Sequence, residues 1–327
     1  MKSHEWKRYV SLAAFFGLLA VSIGHVEAAY PEKPITIIVP YPAGGLSDIQ
    51  ARTLANPLSE DLKQPVVVVN KAGAAGVIGS LELEKAKPDG YTIATYAISQ
   101  VLTQYTSPNP TNMANIVPIS HVLYGPATIT INANQPWRDL KEFIKHAKAN
   151  PNKIRSANSG NGGSAHIFAA AFEGEAGIKL IHVPFKGFAP AVAAIAGGHV
   201  EATSIPVGDV AAMVKAGKLR ILAIAAEKRH YLFPEVPTMK ELNVNLVIGS
   251  WQGFVAPRKT PLEIIRILDR SIEKALKRPE VVKTFRDQGY DVVYKNHSAF
   301  WKWLKAHDAY IRNLVDSFGL RVQTTKK

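Results

Sequence analysis

The sequence predicts an α/β protein made of two α/β lobes and a helical tail. Short β-branched runs alternate with helical patterns up to about residue 97, and a second series of the same kind begins near Ala127. Beyond Trp251 the pattern changes to helices. The length of 327 residues is enough for two domains of ordinary size.

The first series alternates three strands with two helices. The predicted strands are Ile35–Val39, 66–69 and Thr92–Ala97, and the predicted helices are 48–62 and 77–87. Parallel strands joined through helices form right-handed crossovers, so we expect a parallel sheet. Pro57 lies inside the first helix, where it removes one hydrogen bond, and we expect this helix to be kinked or split.

The second series repeats the pattern and leads into the tail. Its predicted strands are 129–131, 153–157, 180–185, 200–205 and 219–226. A helix that begins near Leu140 ends at Asn150-Pro151, and the other connecting helices are rich in alanine. The tail is predicted as helices 261–277, 280–289 and 298–318, with a short strand at 292–294.

Composition excludes several classes of protein. The hydrophobic fraction of 47% is that of a globular chain, not of a disordered or collagen-like one. The absence of cysteine excludes zinc ribbons, iron–sulfur clusters and cysteine nucleophiles. The net charge of +13 favours anionic partners, but the basic residues make no run of five, so we predict no nucleic-acid partner.

The N-terminus has the pattern of a secretory signal. A positively charged start precedes an uncharged apolar stretch at 10–24, and small residues stand at Val26 and Ala28. The apolar stretch is shorter than the roughly 20 residues that span a bilayer, which disfavours the alternative of a membrane anchor. We predict cleavage after Ala28, residues 1–28 being the signal peptide, and a periplasmic mature protein.

The loop after the first predicted strand is a candidate anion site. Open α/β sheets bind ligands at the carboxyl ends of their strands. In the loop 40–48, Gly44 and Gly45 let the backbone approach a ligand, and Ser47 or Asp48 is expected to cap a helix whose free N–H groups face an anion. From spacing alone, a tight turn with a helix cap is an equally good interpretation.

A second glycine-rich loop, 158–166, also joins a predicted strand to a predicted helix. Its glycines and hydroxyls suit backbone recognition of a carboxylate or phosphate. Gly160, Gly162 and Ala165 match the spacing of a dinucleotide fingerprint, but no acidic residue follows about 20 positions later at a strand end. We therefore predict no cofactor.

The residues give little support to an enzyme. No Gly-x-Ser-x-Gly motif is present, and Ser164 lies two residues before His166, so its oxygen would not point at that imidazole. We expect His166 to be a structural hydrogen-bonding group. The ten histidines form no helical pair with a carboxylate ligand set, so no metal site is predicted. A secreted hydrolase acting on an anionic ester remains the alternative function.

Short motifs along the whole mature chain resemble one family. In the first half they are YPEKPI at 30–35, VPYPAGG at 39–45, QPVVV at 64–68 and PDGYT at 88–92. In the second half they are SGNG at 159–162 with His166, HVPFKG at 182–187, GKLR at 217–220, VPT at 236–238, AP at 256–257 and TP at 260–261. In order and spacing they closely resemble the substrate-binding proteins of tripartite tricarboxylate transporters, also called the Bug or TctC-like family.

The resemblance implies a type II periplasmic-binding-protein fold and a receptor function. Lobe one would contain residues 29–130 and 250–327, with the helical tail packed on it, and lobe two would contain 131–249. A ligand cleft would lie between the lobes. The expected function is capture of a small organic carboxylate, without chemistry, by a monomer that delivers it to the membrane permease subunits of a tripartite tricarboxylate transporter or to a sensor.

The resemblance also nominates the ligand-binding residues. Both glycine-rich loops are expected to hold the ligand carboxylate largely through backbone amides and hydroxyls. Tyr41 stands where the family more often has Phe and is expected to add a phenol at the cleft mouth, whereas Phe185 lacks the hydroxyl of the commoner Tyr. The predicted set is Tyr41, Ala43, Gly44, Gly45, Ser47, Asp48, Tyr96, Ser99, Ser159, Asn161, Gly162, Gly163, Ser164, His166 and Phe185.

Overall fold

Two β-sheets organise the chain. The computed structural model describes residues 30–108 and 111–322, and the predicted signal peptide, residues 1–28, lies outside them. By its internal contacts the chain divides into two units, Met1–Glu32 and Lys33–Lys327, and both sheets lie in the second one.

The described residues form eleven strands and ten α-helices. The strands are β1 (Ile35–Val39), β2 (Val66–Asn70), β3 (Thr92–Ala97), β4 (Ile116–Pro126), β5 (Thr128–Asn132), β6 (Arg155–Asn158), β7 (Ile181–Pro184), β8 (Ala202–Thr203), β9 (Leu219–Ile224), β10 (Gly249–Pro257) and β11 (Asp291–Lys295). The helices are α1 (Leu46–Leu62), α2 (Val77–Lys85), α3 (Ile98–Thr106), α4 (Leu140–Ala149), α5 (Ser164–Ala176), α6 (Phe188–Ala196), α7 (Val207–Lys215), α8 (Leu262–Leu276), α9 (Pro279–Asp287) and α10 (His297–Ser317).

The first sheet has the strand order β11-β4-β10-β3-β1-β2. β1 runs parallel to both β2 and β3, as the alternating pattern predicted. β10 and β11 run antiparallel to their neighbours, so the sheet is mixed and not wholly parallel. Because α1, α2 and α3 each follow one of the three parallel strands, the first turns of these helices lie at the same edge of the sheet.

The second sheet has the order β7-β6-β8-β5-β9. β6 is parallel to β7 and β8, whereas β5 is antiparallel to β8 and β9. The chain enters this sheet at Ala127, whose N–H donates to the Ile248 carbonyl at 2.9 Å and whose carbonyl accepts from Ala225 N–H at 2.8 Å. The outgoing and returning segments are therefore hydrogen-bonded where they cross. The division into lobes at residues 130 and 250 lies beside this crossing and stays a prediction.

The tail follows the prediction, and of the two alternatives predicted for α1 the split is excluded. α1 is one continuous helix with Pro57 inside, so it is not split. In the tail, α10 packs on the first sheet: the Phe300 ring lies 5.4 Å from the His121 ring of β4 and 5.8 Å from the Trp251 ring of β10. No helix among residues 30–108 and 111–322 is long and apolar enough to cross a membrane.

Candidate functional site

The loop between β1 and α1 leaves the start of the helix open. α1 begins at Leu46, and Gly45 is its N-cap with no side chain closing the helix end. The predicted cap by Ser47 or Asp48 is therefore wrong, because both residues already lie in the first turn. No described residue accepts a hydrogen bond from the N–H of Leu46 or Ser47. These two donors are available to an anion.

Asp48 braces this loop from inside. Its carboxylate accepts from Gly44 N–H at 2.9 Å, Arg52 Nε at 3.0 Å and Asn70 Nδ2 at 2.9 Å. Burial raises the pKa of Asp48, but the hydrogen bonds from Arg52, Gly44 and Asn70 outweigh that effect and hold it below its usual range. The charged carboxylate thus shapes the loop, and Arg52 balances its charge.

Ser47 is joined to a residue that the sequence analysis missed. Its hydroxyl donates to Gln252 Oε1 at 2.9 Å, and both side chains are buried. Gln252 lies in β10, 205 positions away, so no local motif could have indicated it. Ala43 lies at the exposed tip of the same loop.

The Tyr41 hydroxyl points inward. It donates to Gln100 Oε1 at 3.0 Å, and the Ser99 side chain is a second hydrogen-bonding neighbour. Burial raises the pKa of Tyr41 well above its usual value. A Cβ on Gly76 would lie 2.9 Å from the same hydroxyl oxygen. Tyr41 therefore ties the loop after β1 to the first turn of α3 and to the start of α2, and the place of its phenol at a cleft mouth stays a prediction.

The second glycine-rich loop also ends at an open helix start. α5 begins at Ser164 with Gly163 as its N-cap, again without a side-chain cap. The Ser159 hydroxyl lies 3.4 Å from Ala165 N–H, at the limit of a hydrogen bond, and Asn161 is exposed. The structure thus supplies hydroxyl, amide and N–H groups around one helix N-terminus, as it does at α1.

Asn158 is a second site residue that the sequence analysis left out. It ends β6 and is fully buried, its Oδ1 accepts from Gly160 N–H at 2.9 Å, and its Nδ2 has no described partner. Its carbonyl accepts from Phe185 N–H at 3.0 Å. The half-buried Phe185 packs on the apolar core of the second sheet. The sequence signal that could have indicated it is its position: Asn158 stands at the end of a strand, directly before Ser159-Gly160.

His166 fixes the conformation of the second loop. Its Nδ1 accepts from Gly162 N–H at 3.0 Å, so the neutral ring carries its proton on Nε2. Burial lowers the pKa of His166 to about 4, with a smaller lowering from His182 that Glu173 opposes. The His182 ring lies 4.3 Å from that of His166, and its Nε2 is 3.1 Å from Glu173 Oε2. His166 is thus a structural hydrogen-bonding group, as expected.

Helix α3 links the two loops, although they belong to different sheets. Gln100 in its first turn bonds Tyr41, and Thr106 at its end contacts Gly162. A Cβ on Gly162 would lie 2.7 Å from Thr106 Cβ, and its φ of +68° is left-handed, so this approach requires glycine. The six residues from Gln100 to Thr106 rise about 9 Å. α3 therefore contacts the two loops at points about 9 Å apart along its axis.

Tyr96 is buried near the first loop. It is 3% exposed, its ring lies 6.0 Å from that of Trp251 in the core of the first sheet, and its hydroxyl has no described partner. It lies within electrostatic reach of Tyr41, and its strand neighbour Ala97 pairs with Gln252. Its contact with a ligand stays a prediction.

The electrostatics of the two loops suit recognition by neutral donors. Neither 40–48 nor 158–166 contains lysine or arginine. Asp48 is balanced by Arg52, and His166 is neutral near pH 7. The Nδ1 of His166 is taken by Gly162, which leaves it unavailable as a base for Ser164. Within the part of the chain that the structure describes, no group of three or more His, Cys, Asp or Glu side chains is arranged to hold a metal ion.

Comparison with known proteins identifies the family. A model described as the tripartite tricarboxylate transporter family receptor matches residues 50–320. The chain belongs to this family. Among relatives of this receptor family, protein BugT of Bordetella pertussis is 37% identical over 265 residues, which cover 80% of this chain and 81% of BugT.

Solved structures of the receptor family have the same fold. A TctC solute-binding protein from Polaromonas, without ligand, is 36% identical with a TM-score of 0.76, covering 88% of this chain and 99% of that one. A protein from R. palustris, solved with adipate, is 25% identical with a TM-score of 0.80, covering 89% and 98%. The chain is therefore a solute-binding protein of the tripartite tricarboxylate transporter receptor family, whose members are periplasmic receptors. The predicted α/β fold and the resemblance are confirmed.

Proposed function

We propose that the protein captures a small organic carboxylate between the loops 40–48 and 158–166 and delivers it, unchanged, to a tripartite tricarboxylate-type membrane transporter. The observation that supports this most is the pair of uncapped helix starts, α1 and α5, which α3 links across the two sheets. N–H groups at helix starts bind anions without a cationic side chain. The adipate in the R. palustris relative supports the carboxylate class.

The proposed site residues have one of two roles, direct contact with the ligand or positioning of the loops. Direct contacts come from loop positions with exposed groups or with N–H groups at the helix starts: Ala43, Gly44, Gly45, Ser47, Ser159, Asn161, Gly163 and Ser164. The side chains of Ser47 and Ser164 are buried, so these two residues would offer their backbone N–H groups. Positioning comes from residues that hold the loops in place: Tyr41, Asp48, Ser99, Asn158, Gly162 and His166. Phe185 borders the second loop and supplies an apolar wall.

The test is a thermal-shift and calorimetric screen of the mature protein, residues 29–327. Mono-, di- and tricarboxylates including adipate are compared with uncharged amides of the same chain lengths. A carboxylate at about 100 times its dissociation constant should stabilise the fold by roughly 2.7 kcal/mol. The bound compound should be recovered unchanged, because turnover would indicate an enzyme. Absence of any carboxylate response from protein shown by mass spectrometry to be ligand-free would contradict the proposal.

A single substitution tests the place of binding. Asn161→Asp adds a carboxylate at an exposed position of the second loop without changing side-chain size. Repulsion should weaken binding of the carboxylate found in the screen by about tenfold or more, or about 1.4 kcal/mol. The matched control is Asn134→Asp, at an exposed position between β5 and α4. Equal affinities of the two variants would place the ligand elsewhere.

The proposed location has its own measurement. If residues 1–28 are a signal peptide, protein recovered from the periplasmic fraction should begin at Ala29 on N-terminal sequencing. Recovery of the intact N-terminus in the membrane fraction would instead indicate an uncleaved anchor.

A further inference from the structure

A groove on the second sheet lies away from both glycine-rich loops. It has a volume of about 430 Å³ and runs along β9, between the first turn of α4 and the segment 235–237. β8 and β5 stand between β9 and β6, the strand that leads into the second loop, which places the groove about 14 Å across the sheet from β6. We call it the β9 groove.

The outer edge of β9 carries no paired strand for most of its length, although residues 219 and 221–223 are at most 5% exposed. Within the described residues β9 pairs only with β5, and the bonded position on its other side is Ile224. Ile224 N–H donates to the Pro237 carbonyl at 3.1 Å, and its carbonyl accepts from Met239 N–H at 2.9 Å. The segment after Pro237 thus begins to pair with β9 as a parallel strand and then turns away. Residues 219–223 keep the unpaired backbone groups that an added strand uses.

The floor of the β9 groove is apolar. Leu219, Ile221 and Leu222 of β9 line it together with Val236 and Leu242. Alternate side chains of an extended segment point in the same direction, so apolar residues at every second position would reach this floor while the others stay outside.

The α4 wall of the β9 groove carries a net charge of +1, three cations against two acids. The exposed side chains of Arg138 and Lys141 have no acidic partner among the described residues, and Arg220 holds the wall by donating to the carbonyls of Ala133 at 2.7 Å and Trp137 at 3.0 Å. The two acids on this wall accept hydrogen bonds from backbone N–H groups and not from these two cations. Asp139 Oδ1 accepts the N–H of residue 142, and the Glu142 carboxylate accepts the N–H of residue 138, both at 2.8 Å.

We propose that the β9 groove is a docking surface for an extended, acidic segment of the membrane transporter that receives the solute. The segment would add to the edge of β9, place apolar side chains on the groove floor and pair its carboxylates with Arg138 and Lys141. This assignment rests on the proposed receptor function, since that function supplies the membrane partner. Docking at the β9 groove leaves the loops 40–48 and 158–166 free, so the protein can dock while a solute is bound.

The first test uses two peptides of opposite charge on the full mature protein. The acidic probe is Ac-Glu-Val-Glu-Val-Glu-Val-NH2, and the basic one has Lys in place of Glu. In ¹⁵N spectra the acidic peptide should shift the amides of 219–223, and the basic peptide should not. Saturating adipate, or the carboxylate found in the screen, should leave the acidic peptide bound. Displacement of the acidic peptide by the carboxylate, or amide shifts confined to 40–48 and 158–166, would overturn the proposed docking role of the β9 groove. The receptor function would be left intact.

Charge variants give the second test. Arg138→Glu with Lys141→Glu should weaken acidic-peptide binding by about tenfold, with an effect that shrinks as salt rises. Lys145→Glu with Lys148→Glu makes the same charge change farther along α4 and should alter binding by less than about twofold. Glu235→Lys, on the opposite wall, should strengthen it. Equal losses in both double variants, or weaker binding by Glu235→Lys, would overturn the proposal.

The third test connects the β9 groove to transport. In the native host the Arg138→Glu/Lys141→Glu variant should take up solute several-fold more slowly than wild type, with its solute affinity unchanged. Uptake equal to wild type would overturn the assignment of a transporter segment. If the wild-type protein itself binds no solute, the receptor function is contradicted instead.

Discussion

The protonation state of one histidine decides the shape of the second glycine-rich loop. His166 accepts a hydrogen bond from Gly162 N–H, and protonation would turn that acceptor into a donor. The pKa of His166 lies at about 4, below its ordinary value of 6.5. Between these values the unfolded chain binds more protons than the folded one. Stability from this residue is therefore complete above about pH 6.5 and is lost as pH falls through about 4.

We predict that His166→Asn reduces the pH dependence of stability. The Asn carbonyl oxygen can take the place of Nδ1 but does not titrate. Wild type should lose roughly 2 kcal/mol more of its free energy of unfolding than the variant between about pH 7 and about pH 4.5. Urea unfolding at the two pH values measures this difference. His199→Asn, at an exposed position, should follow wild type, and an unchanged pH dependence in His166→Asn would show that the site does not titrate in this way.

At single positions, the sequence analysis selected the right residues more often than it predicted their hydrogen-bond partners. Ser47 and Asp48 were expected as helix caps because small polar residues at a helix start usually cap it. The helix begins at Leu46, two residues earlier than predicted, so their side chains turn to Gln252 and to Gly44, Arg52 and Asn70 instead. Local preference cannot foresee a partner supplied by a strand 205 positions away.

Among the elements, α3 and β10 were not predicted from the sequence. α3 was missed because its apolar residues continue the apolar run of β3 without a polar or glycine boundary. β10 was missed because its sequence, GSWQGFVAP, holds two glycines and only one β-branched residue, so it lacks the β-branched run by which the other strands were predicted. These two elements provide Gln100, Thr106 and Gln252, and hence most of the contacts between the loops and the rest of the fold.

We predict that the contact of α3 with the second loop requires glycine. Gly162→Ala would place a Cβ 2.7 Å from Thr106 Cβ at a left-handed φ of +68°. Gly44→Ala has a similar φ of +83° but meets nothing within 4 Å, so it measures the backbone cost alone. That cost is about 1 kcal/mol. Gly162→Ala should be less stable than Gly44→Ala by a further 1–3 kcal/mol or so, measured by urea unfolding.

The affinity for solute is a second measurement on the Gly162→Ala variant. Gly162→Ala should bind the carboxylate found in the screen about tenfold more weakly, because the second loop must move off α3. Equal stability of Gly162→Ala and Gly44→Ala would mean that the loop relaxes freely and that α3 does not position it.

Across the whole molecule, a second contact joins parts of the chain that belong to different sheets. The first turn of α7, which leads from the second sheet, meets the segment between α9 and β11. A Cβ on Gly208 would lie 2.4 Å from the Gln288 carbonyl oxygen, so the two backbones nearly touch. Beside them the Tyr290 hydroxyl donates to Asp209 Oδ2 at 2.7 Å. Any movement between the two sheets must therefore act on Asp209 and Tyr290.

We predict that Asp209→Asn stabilises the protein at neutral pH. Burial raises the pKa of Asp209 to about 6 from its ordinary value of 3.8, against an opposing effect of the Tyr290 hydrogen bond. Between these values the folded state holds the proton more tightly, so stability falls as pH rises through the interval. Asn keeps the acceptor for Tyr290 and carries no charge.

Because Asp209 keeps part of its surface accessible, the expected gain of Asp209→Asn is only about 1 kcal/mol at about pH 7.5, and it should vanish near about pH 4. Tyr290→Phe, which leaves the carboxylate without its donor, should be less stable than wild type, most of all at high pH. Chemical unfolding across this pH range compares the three proteins. An Asp209→Asn variant that is less stable than wild type at about pH 7.5 would show that the ionised carboxylate itself holds the two sheets together, and the sign argued here would be reversed.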